Sequence, residues 1–255
     1  MSIVEQNCQV WYNYGMSKQV IIVFGPPGAG KGTQSELLSE KMGLFSLESS
    51  KIIEREFKKI EKLPKDSPEA TLECFGEKID VFFEMENWKK GILTAPAFAT
   101  TLIMKEVQRI FDEGESLMMS GSPRTVYEAQ KEMPLLVNLY GKENIKIILI
   151  EISPETTAHR NVNRKICELM RHSILHNEET EKLTICPIDG SKLVKREGLD
   201  NIETIKTRLV QYKERTLPLF EYFTKEGFNI NKINGERSIA EVHAEIVKLV
   251  SDESH

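Results

Sequence analysis

VFGPPGAGKGTQ, from Val23 to Gln34, is the stretch that decides how this chain folds. A general phosphate-binding loop reads G-x-x-x-x-G-K followed by Ser or Thr. Its glycines let backbone N–H groups turn inward around phosphate oxygens, and its lysine brings a mobile charge to the β- and γ-phosphates. Gly25, Gly30 and Lys31 fit that form, but Gly32 follows the lysine and the hydroxyl arrives one place late, at Thr33. The stretch is a chance glycine cluster, an ordinary nucleotidase loop, or a form belonging to one kind of phosphotransferase.

Its flanks argue against chance. Gln19 to Phe24 is a short apolar, β-branched run that reads as a buried parallel strand. Thr33 to Met42 has helical spacing, with Leu37, Leu38 and Met42 on one face and Gly43 as a stop. The helix adds its partial positive N-terminus to the loop. Further strands are expected at Ser116 to Ser120, Ile145 to Ile152 and, at a sheet edge, Phe228 to Ile233. Helices are expected at Phe98 to Glu113, Val126 to Leu139, Thr156 to Leu169, Ile202 to Glu226 and Ser238 to Val250. Strands alternating with helices give an α/β fold of three layers around a central parallel sheet. Two polar stretches break the alternation, Lys51 to Pro96 and His172 to Leu199, and read as lobes inserted into the core.

The composition bounds the function. The chain has 255 residues, 40% hydrophobic and 29% charged, as in a globular protein. A formal net charge of -5 argues against general nucleic-acid binding. No apolar run approaches the roughly 20 residues that span a bilayer. The first residues do not read as a signal peptide. Four widely spaced cysteines make no disulfide framework, so a cytoplasmic location is the expectation. Residues 1–15 read as an N-terminal extension ahead of a P-loop domain over 16–255.

The late hydroxyl gives the loop its kinship. G-x-P-G-x-G-K-G-T-Q resembles the form found in adenylate kinases and their nucleoside-monophosphate kinase relatives, matched at Gly25, Pro27, Gly28, Gly30, Lys31, Gly32, Thr33 and Gln34. By that resemblance Pro27, Gly28, Ala29, Gly30, Lys31, Gly32 and Thr33 bind ATP. The family's G-[FY]-P-R-T segment appears as Gly121-Ser-Pro-Arg124-Thr125, which implies that Arg124 and Gly121 serve the acceptor monophosphate. Arg160 and Arg164 keep the R-x-x-x-R spacing of the lid, where the pair clamps the transferring phosphoryl group and Arg160 touches ATP. Arg196 and Arg208 fit the arginines that follow the lid and serve both transfer and acceptor. Gly235 fits the late turn beside the ATP base. Five of the chain's ten arginines thus fall on expected positions. Arginine suits such places because it stays charged and offers a planar fork to phosphate oxygens. The resemblance implies an acceptor lobe at about 49–97, a lid at about 159–208, Mg²⁺ with ATP, and a monomer whose partners are ATP and a monophosphate, without nucleic acid or membrane.

The chain also departs from the pattern. Ser120 stands where the family has an Asp that helps hold the water shell of Mg²⁺, and the acidic pair after the lid is reduced to Asp200. Ser49 takes the place of the threonine near the acceptor base, but Glu54 replaces an arginine for the acceptor phosphate, leaving Lys51 or Arg55 to compensate. Glu128 stands where adenylate kinases read the acceptor adenine with Gln. An ionised Glu only accepts hydrogen bonds, which suits the adenine amino group or guanine equally; AMP is the expectation on overall resemblance, with GMP or another monophosphate as the alternative. A solvent-facing Glu128 is the bland reading. Zinc in the lid needs four good ligands; Cys167, Cys186 and Asp189 are present, but Met170 is a poor donor. Either His172 takes that place, or zinc is lost and packing holds the lid. Two rivals remain beside the kinase: an ATP-binding regulatory protein with an eroded acceptor site, and an NTPase.

Overall fold

The computed structural model describes residues 18–65, 67–174, 176, 179–195 and 200–251. Residues 1–15 and Arg196 lie outside them.

Five parallel strands form the central sheet: β1 (Val20–Phe24), β2 (Phe45–Glu48), β5 (Leu117–Ser120), β6 (Ile145–Glu151) and β10 (Ile230–Asn234), in the order β10-β6-β1-β5-β2. The runs VIIVF, LMMS and IKIILIE form the middle of the sheet because helices cover both of its faces, so continuous rather than alternating hydrophobicity is what the site requires. On one face Ile21, Val23, Met118, Ile148 and Ile150 pack against Leu38 of α1 (Lys31–Met42) and against Val242 and Ile246 of the last helix, α9 (Ile239–Ser251). On the other, Val20, Ile22, Phe24, Leu117 and Met119 meet Ile103 and Val107 of α4 (Pro96–Asp112), Met133 and Leu136 of α5 (Val126–Tyr140) and Phe223 of α8 (Pro218–Lys225). The expected three-layer α/β fold with a parallel sheet is the one observed.

A second, smaller core stands beside the sheet. α2 (Ser49–Ile60), the hairpin of β3 (Thr71–Cys74) and β4 (Glu77–Asp80), and α3 (Val81–Lys89) close around Phe57, whose ring stacks on Phe98 at 5.9 Å and meets Trp88 edge-on at 6.2 Å. Among the described residues no helix is long and apolar enough to cross a membrane.

Two expectations need correction. The helix read from Thr156 to Leu169 ends early: α6 spans Pro154–Val162, and Lys165–Cys167 is instead strand β7. It pairs antiparallel with the nearby β8 (Ser173–Ile174) and with the remote β9 (Leu193–Val194), short partners that local helical periodicity does not register. The helix read from Ile202 to Glu226 is broken into α7 (Ile202–Gln211), a π-helical turn at Tyr212–Thr216, and α8. Pro218 explains the restart. It has no N–H to continue the ladder but is suited to a first turn, where that donor has no partner anyway.

Candidate active site

The loop leaves β1 at Phe24 and enters α1 at Lys31. Gly28 and Gly30 hold φ of 86° and 91°, a region that L side chains rarely adopt. Gly28 is also crowded, since a Cβ there would lie 2.6 Å from Asn161 Nδ2 on α6. Lys31 Nζ donates to the carbonyls of Gly25 at 2.7 Å and Pro26 at 2.9 Å, which holds the ammonium inside the loop. Behind it, buried Gln34 donates from Nε2 to the Ile239 carbonyl at 3.0 Å and ties α1 to α9.

In front of the loop lies a cleft of about 310 Å³. It gathers Lys31 and Thr33 from the loop and α1, Arg124 from the β5–α5 turn, Arg164 from the end of α6, and Arg208 from α7. Four segments far apart in sequence thus bring cations to one space. Trp88, Ile92 and Leu93 form an apolar wall on the side of the smaller core. A second recess adjoins the first and shares Gly28, Gly30, Thr33 and Arg164 with it; Ala29, Arg160 and Gly235 line its wall. There Arg160 Nη2 donates to the Gly235 carbonyl at 2.9 Å.

Arg124 is held by several contacts. It follows a cis Ser122–Pro123 bond. Its Nε donates to the Gly121 carbonyl at 2.6 Å and its Nη2 to Ser49 Oγ at 3.1 Å. Ser49 Oγ in turn donates to the same Gly121 carbonyl at 2.6 Å. The guanidinium sits 5.7 Å from the Trp88 ring centre, and Thr216 Oγ1 donates to the Arg124 carbonyl. Burial draws the Arg124 pKa below its usual range, opposed by the charges of Glu128 and Glu132.

Glu128 stands on neither surface that the sequence offered it. It is 3% exposed, does not line the cleft, and accepts the Arg124 backbone N–H at 2.5 Å. Thr125 caps α5 by accepting from Glu128 N–H, so the first turn of the helix folds the carboxylate back under Arg124. Burial raises its pKa, with hydrogen bonding and charge at Arg124 opposing. One turn on, Glu132 is buried as well and accepts from Ser122 Oγ at 2.9 and 3.0 Å. Burial, and then the charge of Glu128, push its pKa well up. Sequence reading did not find this Ser122–Glu132 support. Its only signal was a second Glu at helical spacing, four residues after Glu128.

At the other departures, Glu54 and Lys51 line the cleft, whereas Arg55 pairs with Glu106 at 3.2 Å and is not part of the cleft lining. Asp200 is buried.

Cys167, His172, Cys186 and Asp189 bring one donor atom each to within 4.8 Å of one another. Cys167 Sγ lies 3.0 Å from Asp189 Oδ2 and 3.5 Å from His172 Nδ1; Cys186 Sγ lies 3.8 Å and Asp189 Oδ2 3.4 Å from that nitrogen. Zinc bonds of 2.0–2.3 Å at tetrahedral angles place donors about 3.3–3.8 Å apart, so the set fits zinc with little adjustment. Met170 stays outside, 63% exposed. Arg171, at φ 60°, turns the chain so that His172 fills the place that the sequence pattern assigns to residue 170. His172 N–H also donates to Cys167 Sγ at 3.0 Å.

The family model described as "Adenylate kinase" matches residues 23–228. An adenylate kinase of Caldicellulosiruptor saccharolyticus is 29% identical over 234 residues, covering 91% of this chain and 99% of that protein. One of Oceanobacillus iheyensis is 29% identical over 232 residues, 90% of this chain and 98% of the relative. One of Mycoplasma capricolum subsp. capricolum is 29% identical over 206 residues, 80% and 85%.

Proposed function

The chain belongs to the adenylate kinase family and is thereby an ATP-dependent phosphotransferase acting on nucleoside monophosphates; from that premise we propose that it transfers the γ-phosphoryl of ATP to AMP, giving two ADP. The observation that carries this is the convergence of Lys31, Arg124, Arg164 and Arg208 on one cleft before the loop. A phosphoryl group in flight spreads charge over three equatorial oxygens, so catalysis is positioning and electrostatic stabilisation. Loop amides and Lys31 hold the donor phosphates. Arg164 and Arg208, with Arg160 and Arg196, stabilise the group in transfer. Arg160 reaches it from the recess where it meets Gly235, the place of the donor base. Arg124 fixes the acceptor phosphate, and Glu128 acts from beneath as its positioning residue. The acceptor base lies toward Trp88, whose ring offers a stacking face beside Ile92 and Leu93.

Mg²⁺ neutralises donor oxygens when bound with ATP. The hydroxyls of Thr33 and Ser120 and the carboxylate of Glu48 line the same cleft, a set of oxygen donors that suits this hard cation. Zinc at Cys167, His172, Cys186 and Asp189 braces the lid, about residues 159–208. Closure of that lid and of the acceptor lobe, about 49–97, over the cleft keeps water from taking the phosphoryl group. The enzyme acts as a monomer in the cytoplasm, in keeping with the lack of a disulfide at the described cysteines Cys74, Cys167 and Cys186.

The test is kcat/KM for AMP, GMP, CMP and UMP at saturating Mg-ATP. The highest value for AMP supports the assignment. A higher value for GMP moves the acceptor to guanine. Tight ATP binding with no monophosphate phosphorylated makes the chain a nucleotide-binding protein instead.

A further inference from the structure

Ser120 closes β5, the strand next to β1 and its loop, with a hydroxyl where the family pattern has a carboxylate. The next strand out, β2, closes on Glu48, and the parallel register sets Glu48 against Ser120 as it sets Leu47 against Met119. Register partners in a parallel pair project to the same face of the sheet, about 4.8 Å apart. A Glu side chain is one methylene longer than an Asp, which recovers part of that offset. Both residues line the cleft with Lys31 and Thr33. The Glu48 side chain is 15% exposed, and Lys51 Nζ lies 2.6 Å from its Oε1 while remaining 62% exposed itself. Glu36, on α1 one residue-triplet beyond Thr33, shares that lysine at 3.9 Å. Its carboxyl is raised by burial, an effect that Lys51 opposes and Glu48 reinforces. Two carboxylates with one mobile lysine between them therefore face the loop.

We infer that Glu48 holds, from the adjacent strand, the water shell of the divalent cation that accompanies the donor triphosphate, in place of the carboxylate that β5 lacks. Mg²⁺ gives up its waters reluctantly, so a group one strand further away acts through a water without direct coordination. Lys51, mostly in solvent, swings outward when the cation arrives. The inference rests on the nucleotide-binding reading of the cleft but not on turnover, since the cation enters with ATP alone.

Mn²⁺ serves as the probe, its retention by the protein–ATP complex measured by electron paramagnetic resonance without any acceptor. Groups that support a metal from outside its ligand set change affinity about 10–100-fold when removed. Glu48→Gln is expected to weaken Mn²⁺ retention by about tenfold or more, while metal-free ATP binding in EDTA stays as in the wild type. Glu48→Gln with Ser120→Asp is expected to restore it, because the carboxylate returns on β5. Lys51→Met is expected to leave Mn²⁺ retention unchanged or tighter; if Glu48 served only to anchor Lys51, this variant would mimic Glu48→Gln. Unchanged retention in Glu48→Gln, or no recovery with Ser120→Asp, overturns the inference while the kinase reading stands. No Mn-ATP binding by the wild type overturns both. Retention that depends on Glu48 in a protein that phosphorylates nothing supports the site and removes only the kinase reading.

Discussion

Replacing Gly28 by alanine probes how the loop is built. Two costs arise, and they can be separated. The first is conformational: at φ 86° an L residue costs about 1–2 kcal/mol more than glycine. The second is steric. The new Cβ would stand 2.6 Å from Asn161 Nδ2, inside any allowed contact. Asn161 has no room to yield, because it is fully buried and its Nδ2 donates to the Thr157 carbonyl at 2.7 Å. Displacing it leaves a buried donor without a partner, at about 1–3 kcal/mol. The sum is about 2–5 kcal/mol. Gly30→Ala is the control, since its φ is 91° but nothing lies within 4 Å of the added Cβ, so only the first cost applies. In a protein of this size each kcal/mol moves Tm by about 2–4 °C. Calorimetry without nucleotide should therefore show Gly28→Ala melting several degrees below Gly30→Ala. Adding Asn161→Ala should reveal a favourable coupling with Gly28→Ala of about 1 kcal/mol or more. Equal melting of the two glycine variants, or no coupling, would refute the close approach of α6 to the loop.

Other outcomes follow from the same geometry. Elemental analysis should find one zinc per chain, and Cys186→Ser should lose it and lower Tm; full stability with no zinc contradicts the four-donor site. Arg171→Gly should raise Tm by about 1–3 °C, because relief of a left-handed backbone at the zinc turn, about 1–2 kcal/mol, outweighs the chain entropy that glycine adds, about 0.5–1 kcal/mol; a lower Tm contradicts strain at this turn. Arg124→Lys should raise the KM for the acceptor by about tenfold or more, because an ammonium cannot reproduce the planar fork shared by Gly121 and Ser49. Glu132 has a folded pKa above its unfolded value of about 4.3. The folded state therefore binds the proton more tightly, and this group's contribution is full below pH of about 4.3 and declines as pH rises toward the folded pKa. Glu132→Gln should flatten that decline in urea titrations between about pH 4 and 8; an unchanged slope contradicts it.

The loop and its flanks were legible because strand, glycines and helix are contiguous, and each announces itself by residue type alone. The burial of β1, β5 and β6 followed from unbroken apolar runs. β2 escaped notice because FSLE is four residues long and buries only Leu47 fully. Its strand character comes from the hydrogen bonds of β5, not from its own pattern. β7 was hidden for a related reason: Lys165–Cys167 is three residues long, follows a helical segment without a break, and has one of its two partners, β9, far along the chain. At the zinc site, three donors stood at the expected spacing and His172 was one of two alternatives for the fourth; Met170 occupies the expected position, and only the left-handed turn at Arg171 shows that His172 fills it. Glu128 was placed by family position on the acceptor wall or by polarity in solvent. The first turn of α5 decides otherwise, since the Thr125 cap and the Arg124 N–H draw the carboxylate inward. The Gly28–Asn161 approach leaves no trace in either segment alone, since it exists only once α6 lies against the loop.

The central claim is phosphoryl transfer from ATP to a monophosphate in the cleft before the loop. Incubation with γ-labelled Mg-ATP and unlabelled AMP, with products separated by ion exchange, tests it most directly. Label appearing in the β-position of ADP newly made from AMP, with no release as inorganic phosphate and with loss in Lys31→Ala, is the predicted result. Label released as inorganic phosphate whether or not AMP is present, or label remaining in ATP that is nonetheless bound, would contradict it.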